Sequence, residues 1–269
     1  MNMFRVHDID ESQAPLLDHL IELRARLLRA IAALAVSFGV SLYFANDIFG
    51  FLVRPLTAAF PPGQGRLIYT KLYEQFFVEL KVALFAAFFI SFPVIANQLW
   101  AFIAPGLYAR EKRAFLPFLV ATPVLFTAGA SLAYFVVMPT AFKWMLGFQG
   151  QKGGLHLEAL PAVGDYLSLV MQFILAFGVS FLLPVLLLLL NRAGIVSREQ
   201  LSKARRYVIV AITAVAAIIT PPDLLSQILL LVPLLLLFEG SLIVMRITEK
   251  SDAKRKAAEA AEVAADPAA

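Results

Sequence analysis

Residues 97–113 read NQLWAFIAPGLYAREKR, and this stretch decides how the rest of the chain is read. It closes one long apolar run, breaks at Pro105-Gly106, and ends in the cluster Arg110, Glu111, Lys112 and Arg113. No further charge follows until Lys143, so residues 114–142 form a second uninterrupted uncharged run. Proline and glycine punctuate helices, and basic residues beside apolar spans mark the cytoplasmic face of a membrane. The segment predicts a cytoplasmic hairpin joining two transmembrane helices.

Composition carries the same reading outward. The chain has 269 residues, 60% of them hydrophobic and only 16% charged, with a mean hydropathy of +0.79. A water-soluble core does not require this much apolar sequence, and an all-α polytopic membrane protein does. The net charge of +4 is too modest for a nucleic-acid partner. There is no cysteine, which excludes disulfides, thiol catalysis and thiolate metal sites, and His7, His19 and His156 are too scattered to suggest a metal cluster. The first apolar run follows a long charged segment, so the N-terminus is not expected to be a cleaved signal peptide.

Taken in order, Leu16, Leu17, Leu20, Leu23 and Leu27 recur at three- and four-residue spacing, with Asp18, His19, Glu22 and Arg26 on the other face. An amphipathic interfacial helix is expected there, continuing into a first span over residues 27–45 that Asn46 and Asp47 end. Residues 46–75 form an outer connection with a short amphipathic helix before Pro61. The second span covers 76–96, with Pro93 as a kink, and the third 115–138. A second outer loop, 143–165, is marked by Gly147, Gly150, Gly153, Gly154 and Pro161. The fourth span, 166–190, contains Gly178 and Pro184. The fifth, 207–220, is too short for an unperturbed bilayer, and the sixth is 224–245. Residues 1–246 form one six-helix domain, and 247–269 a low-complexity cytoplasmic tail, expected to be disordered or marginally helical.

Lysine and arginine set the orientation. The segments placed inside carry seventeen and the outer loops five. Six spans with both termini cytoplasmic follow from that asymmetry. The two halves show no repeat, so the inverted-repeat plan of many secondary transporters has no support.

Glu22 and Glu111 both fall at the cytoplasmic boundary. Two carboxylates there suit a pair of guanidinium groups, because arginine–carboxylate contacts are charge-assisted and often bidentate. Spacing alone leaves a structural alternative open: Glu22 stands four residues before Arg26, the favourable order for a helical ion pair, and Glu111 has basic neighbours. Glu239 is the one carboxylate well inside a span, and is expected to face a polar cavity, be paired, or be protonated. As a proton site it would suit a proton-coupled small-solute transporter, the alternative reading. Asp223 after two prolines suits either a helix cap or a functional role. Trp100 and Phe102 read as interfacial aromatics, and Gln172 and Tyr134 as polar groups within spans. No nucleophile–base pair, phosphate loop or metal spacing occurs, so no enzyme activity and no cofactor are expected.

The runs DHLIELRARLL (18–28), QLWAFIAPGLYAREKR (98–113), LAYFVVMPTAF (132–142), YLSLVMQFILAFGVSF (166–181) and TPPDLLSQ (220–227) together resemble the TatC family, the polytopic subunit of the twin-arginine protein translocase. The resemblance implies a glove-shaped six-helix protein of the bacterial cytoplasmic membrane rather than the thylakoid. It implies a receptor for signal peptides with two consecutive arginines, working in homo-oligomeric complexes with the single-span subunits TatB and TatA. That machinery exports folded proteins on the proton-motive force. Carried over by position, Glu22, Arg24, Phe102 and Glu111 match the signal-peptide-binding patch, and Pro55, Tyr134 and Asp223 match other functional positions. One departure is Leu182, where the family commonly has glutamate or glutamine, which leaves Glu239 as the candidate carboxylate of the intramembrane cavity.

Overall fold

The computed structural model describes residues 10–61, 65–107, 112–220 and 223–265, with side chains over 19–61, 65–102, 118–151, 153–218, 220 and 223–250. The order is α1 Asp10–Tyr43, α2 Ala45–Thr57, α3 Glu74–Leu107, α4 Lys112–Leu132, a π-helical turn Ala133–Val137 and α5 Met138–Leu146. Then come β1 Gly150–Lys152, β2 Leu155–Leu157, α6 Val163–Ser180, α7 Leu183–Arg192, α8 Arg198–Lys203, α9 Arg205–Ile219 and α10 Leu224–Ala265. Among the described residues, five helical stretches are long and apolar enough to cross a membrane: His19–Tyr43, Glu74–Phe102, Phe118–Leu146, Val163–Arg192 and Leu224–Lys250. The protein is an all-α, multi-pass membrane protein.

The chain forms two compact units, one of residues 1–51 and 75–123, the other of residues 52–74 and 124–269. In the first, α3 buries Val78, Val82, Ala83, Ala87, Ser91, Phe92 and Ala96, steps of four residues with two adjacent pairs that make one helical stripe. Ser91 lies on that stripe at no polar cost, because its hydroxyl donates to the Ala87 carbonyl at 2.7 Å. The indole of Trp100 donates to Thr122 Oγ1 at 2.8 Å and fastens α3 to α4. α1, by contrast, leaves Leu20, Ile21, Leu27, Leu28, Ile31 and Val36 exposed. Water would penalise that surface, whereas lipid does not.

In the second unit, α10 buries Ser226, Leu230, Leu234, Phe238, Leu242 and Met245 at near-perfect four-residue spacing and packs on α7, α8 and α9. α6 buries Tyr166, Leu167, Val170, Phe173, Ile174 and Phe177 and packs on the π-helical turn and α9. Two glycines allow a close crossing: a methyl on Gly129 would collide with the Phe177 carbonyl oxygen, and one on Gly178 would lie 2.7 Å from the Phe126 ring.

Several boundaries differ from the sequence expectation. α1 stops at Tyr43, and Asn46 and Asp47 open α2 rather than closing the first span. Asp47 sits in the first turn of α2, where a carboxylate favours the positive end of the helix dipole. The fourth span is two helices, because Pro184 has no N–H and its ring would meet the carbonyl of Ser180, the last residue of α6. The third is interrupted for the same reason. Pro139 would leave the α-helical ladder incomplete, and the Met138 N–H bonds instead to Ala133 O, five residues back. The second outer loop holds a β-hairpin that pairs Gln151 with His156, and Gly153-Gly154 turns it with φ of +59° and +82°. A two-residue turn of that kind requires positive φ at both positions, which glycine adopts freely. α10 runs on to Ala265, so of the two alternatives expected for the tail it is the helical one that is seen.

Candidate functional site

In the first unit α1 meets α3 through His19, on the polar face of α1. Glu22 and Arg26 lie one turn apart on that face, and Arg26 donates to Glu22 Oε1 through Nε at 2.9 Å and Nη2 at 2.5 Å. The other carboxylate oxygen, Oε2, faces His19 Nδ1 at 4.0 Å. The His19 ring in turn stacks on Phe102 of α3, with centroids 4.3 Å apart and planes 17° apart. Phe102 is half-buried, and Arg24, two residues from Glu22, is exposed. Three of the four residues expected to bind peptide, Glu22, Arg24 and Phe102, thus share one end of the α1–α3 pair; Glu111 lies outside the described residues.

This arrangement offers a carboxylate and a flat aromatic stack side by side. A carboxylate accepts a guanidinium fork, and a planar cation lies well on an aromatic face. The sequence reading did not single out His19 for this site. Its signal was available: His19 stands three residues before Glu22, hence on the same helical face.

The remaining candidates sit in the second unit. Pro55 is buried within α2. Tyr134 is buried in the π-helical turn, a rare element that tends to mark functional segments. Asp223 is buried and caps α10, its Oδ1 accepting from the Ser226 N–H at 2.7 Å. Its Oδ2 and the Ser226 hydroxyl are buried with no hydrogen-bond partner among the described residues. Glu239 accepts from Arg205 Nη2 at 3.0 Å, and both side chains are about half exposed. The isolated intramembrane carboxylate on which a proton-coupled solute transporter would rest is thus one half of an ion pair at the first residue of α9. A second pair, Arg198 Nε to Glu249 Oε2 at 2.9 Å, joins α8 to α10. Leu182 is half-buried at the break between α6 and α7.

A residue with no place in the sequence reading organises the loops of this unit. Glu74 Oε1 accepts from the Gly164 N–H at 2.9 Å, and its Oε2 from the Thr70 N–H at 2.8 Å and from Thr70 Oγ1 at 3.2 Å. Beside it, Ile68 N–H donates to Pro161 O and Val163 N–H to Ile68 O, at 3.1 and 2.8 Å. Tyr166 anchors the base of the same region through its hydroxyl, which donates to the Leu52 carbonyl at 2.9 Å. These bonds shape one wall of a cavity of about 550 Å³ lined by Leu56, Ile68, Thr70, Phe142, Asp165 and Tyr166, among others.

Residues 18–233 match the family described as Sec-independent protein translocase protein (TatC). The Sec-independent protein translocase protein TatC of Magnetococcus marinus is 48% identical over 256 residues, covering 95% of this chain and 93% of that one. The TatC of Escherichia coli K12 is 44% identical over 229 residues, covering 85% and 87%. A crystal structure of a twin-arginine translocase receptor, TatC, superposes with a TM-score of 0.73 at 40% identity and covers 84% of this chain and 99% of that one. The chain belongs to the TatC family.

Proposed function

We propose that this protein is the receptor for twin-arginine signal peptides and the core of a translocase that moves folded proteins across the bacterial cytoplasmic membrane on the proton-motive force. The observation that carries the proposal is the juxtaposition of Glu22, His19 and Phe102 at one end of α1 and α3. In sequence, Phe102 stands nine residues before Glu111, in an arginine- and lysine-rich segment that the distribution of basic residues assigns to the cytoplasm. Signal peptides arrive from that side. In this reading Glu22 and Glu111 each receive one guanidinium, Arg24 repels misplaced cations, and Phe102 backs the His19 ring on which a guanidinium lies. Pro55, Tyr134, Asp223 and Glu239 act at a distance, by shaping helix ends and the connections between them.

The partners in this reading are the single-span subunits TatA and TatB, other copies of this chain in the receptor complex, and folded cargo bearing the signal peptide. The bare apolar surface of α1 and the outward faces of α9 and α10 are open to lipid or to such single helices. The test is capture of a synthetic signal peptide by the protein in lipid nanodiscs. The peptide with two arginines is retained and its double-lysine version is not, and Glu22→Gln with Glu111→Gln abolishes retention. Equal retention of both peptides, or undiminished retention by the double variant, overturns the proposal.

A further inference from the structure

The carboxylate assigned to a peptide guanidinium already holds one. Arg26 directs two nitrogens of its fork at Glu22 Oε1, at 2.9 and 2.5 Å, and its side chain is only 20% exposed, so the contact is partly shielded from water. The residue order favours it: glutamate four residues before a cation on a helix is the better orientation. A ligand cation approaching Glu22 therefore meets two alternatives. It can displace Arg26, or it can settle on Oε2, the oxygen that faces the His19–Phe102 stack.

We propose that Arg26 is a resident competitor that makes this site selective for guanidinium over ammonium ligands. The proposal rests on the reading of Glu22 as a peptide-binding carboxylate and adds how that carboxylate discriminates. Lysine brings a point charge that is strongly hydrated and has no preferred plane. Against a guanidinium already forked onto Glu22, an ammonium has neither the planar match to the carboxylate nor the stacking face to outweigh the occupant. An incoming arginine has both, because it can replace the Arg26 fork like for like, or take Oε2 while lying on the His19 ring. Arg26 thus raises the threshold for every cation, and raises it more for lysine. The same contact keeps Glu22 paired while no peptide is bound, so the emptied site does not present a bare carboxylate half-buried at a helix interface.

Arg26 is in this view a specificity residue that need never touch the bound peptide. Its removal has a signature that loss of helix support would not produce: weaker discrimination with no loss of affinity for the arginine peptide. The experiment measures binding of a fluorescent signal peptide with two arginines, and of its double-lysine version, to the full chain in nanodiscs, for the unaltered protein, Arg26→Gln, Arg26→Lys and Glu22→Gln. In Arg26→Gln the preference for arginine over lysine is expected to fall about three- to tenfold, the range between an exposed helical pair and a shielded charge-assisted one. The arginine peptide binds at least as tightly as before. Arg26→Lys, a weaker occupant that keeps the charge and the helix, falls between the two. An unchanged preference in both Arg26 variants overturns the inference, and so does weaker arginine-peptide binding in Arg26→Gln with the preference intact, which would make Arg26 a mere prop for Glu22. If the unaltered protein shows no preference, or Glu22→Gln loses nothing, it is the receptor reading itself that fails.

Discussion

At the scale of single residues, the chemistry depends on which charges are already satisfied. Glu22 is half-exposed and accepts two guanidinium hydrogen bonds, so one of its oxygens is already committed and the carboxylate is held in place. A hydrogen bond to a charged group is worth about 1.5–3 kcal/mol, which predicts that Glu22→Gln weakens binding of a twin-arginine peptide at least about tenfold, as fluorescence anisotropy would read. Glu239 behaves differently. Its pair with Arg205 is about half exposed on both sides, and exposed pairs contribute about 0–1 kcal/mol. Glu239→Gln is accordingly expected to leave thermal unfolding in detergent nearly unshifted and peptide capture intact. Loss of export in that variant would restore the intramembrane role expected of this residue from sequence. Glu74 gathers donors from the loop at Thr70 and from the first turn of α6, distant in sequence, and Gly164 leaves it the room, since a methyl there would lie 2.8 Å from Glu74 Oε1. In Glu74→Ala, proteolytic nicking of residues 65–73 should rise while peptide capture persists; an unchanged digestion pattern would refute this role.

At the scale of elements, close helix contact and helix length make separate demands. Gly129 and Gly178 lie where α4 and α6 approach through backbone and ring contacts, whereas nothing lies within 4 Å of a methyl built on Gly240 of α10. Overpacking costs about 1–3 kcal/mol, and a mid-helix glycine costs about 0.5–1 kcal/mol relative to alanine. Gly129→Ala is therefore expected to lower the unfolding temperature and Gly240→Ala to raise it slightly; the reverse order would refute the packing account. α9 has 15 residues, about 22 Å at 1.5 Å per residue, against about 30 Å of hydrocarbon. We propose that α9 crosses the membrane and that a span that short thins the bilayer beside it and so eases passage of cargo. Four leucines inserted after Ile212 should slow export without abolishing peptide capture, and unchanged export would count against local thinning as part of the mechanism.

At the scale of the whole molecule, the absence of cysteine makes every introduced thiol a clean reporter of topology. With seventeen basic residues assigned inside and five outside, a thiol at His156, exposed in the hairpin, should react with an impermeant maleimide from the external face of intact cells. A thiol at Ser202, in α8, should react only after permeabilisation. Labelling of both from the same side would overturn the six-span arrangement. Exposed apolar side chains along α1 belong to this scale too, since only a surrounding solvent of lipid, or a partner helix, makes such a surface stable.

Much of this was legible in the chain itself. Apolar run length located the five long spans, lysine and arginine placement gave an orientation, and the motifs around Glu22, Phe102 and Asp223 identified the family. Those are local or summed properties, carried by composition and spacing. The tertiary structure decided what depends on residues far apart in sequence: that His19 stacks on Phe102 across two helices, that Glu74 bonds Gly164 ninety positions away, and that Glu239 pairs with Arg205 instead of standing alone. It also decided how Pro139 and Pro184 are absorbed, by a π-helical turn in one case and a helix break in the other, because the missing hydrogen bond can be rerouted only as the neighbouring helices allow. Spacing predicts which face a side chain occupies; which partner it meets there is set by packing.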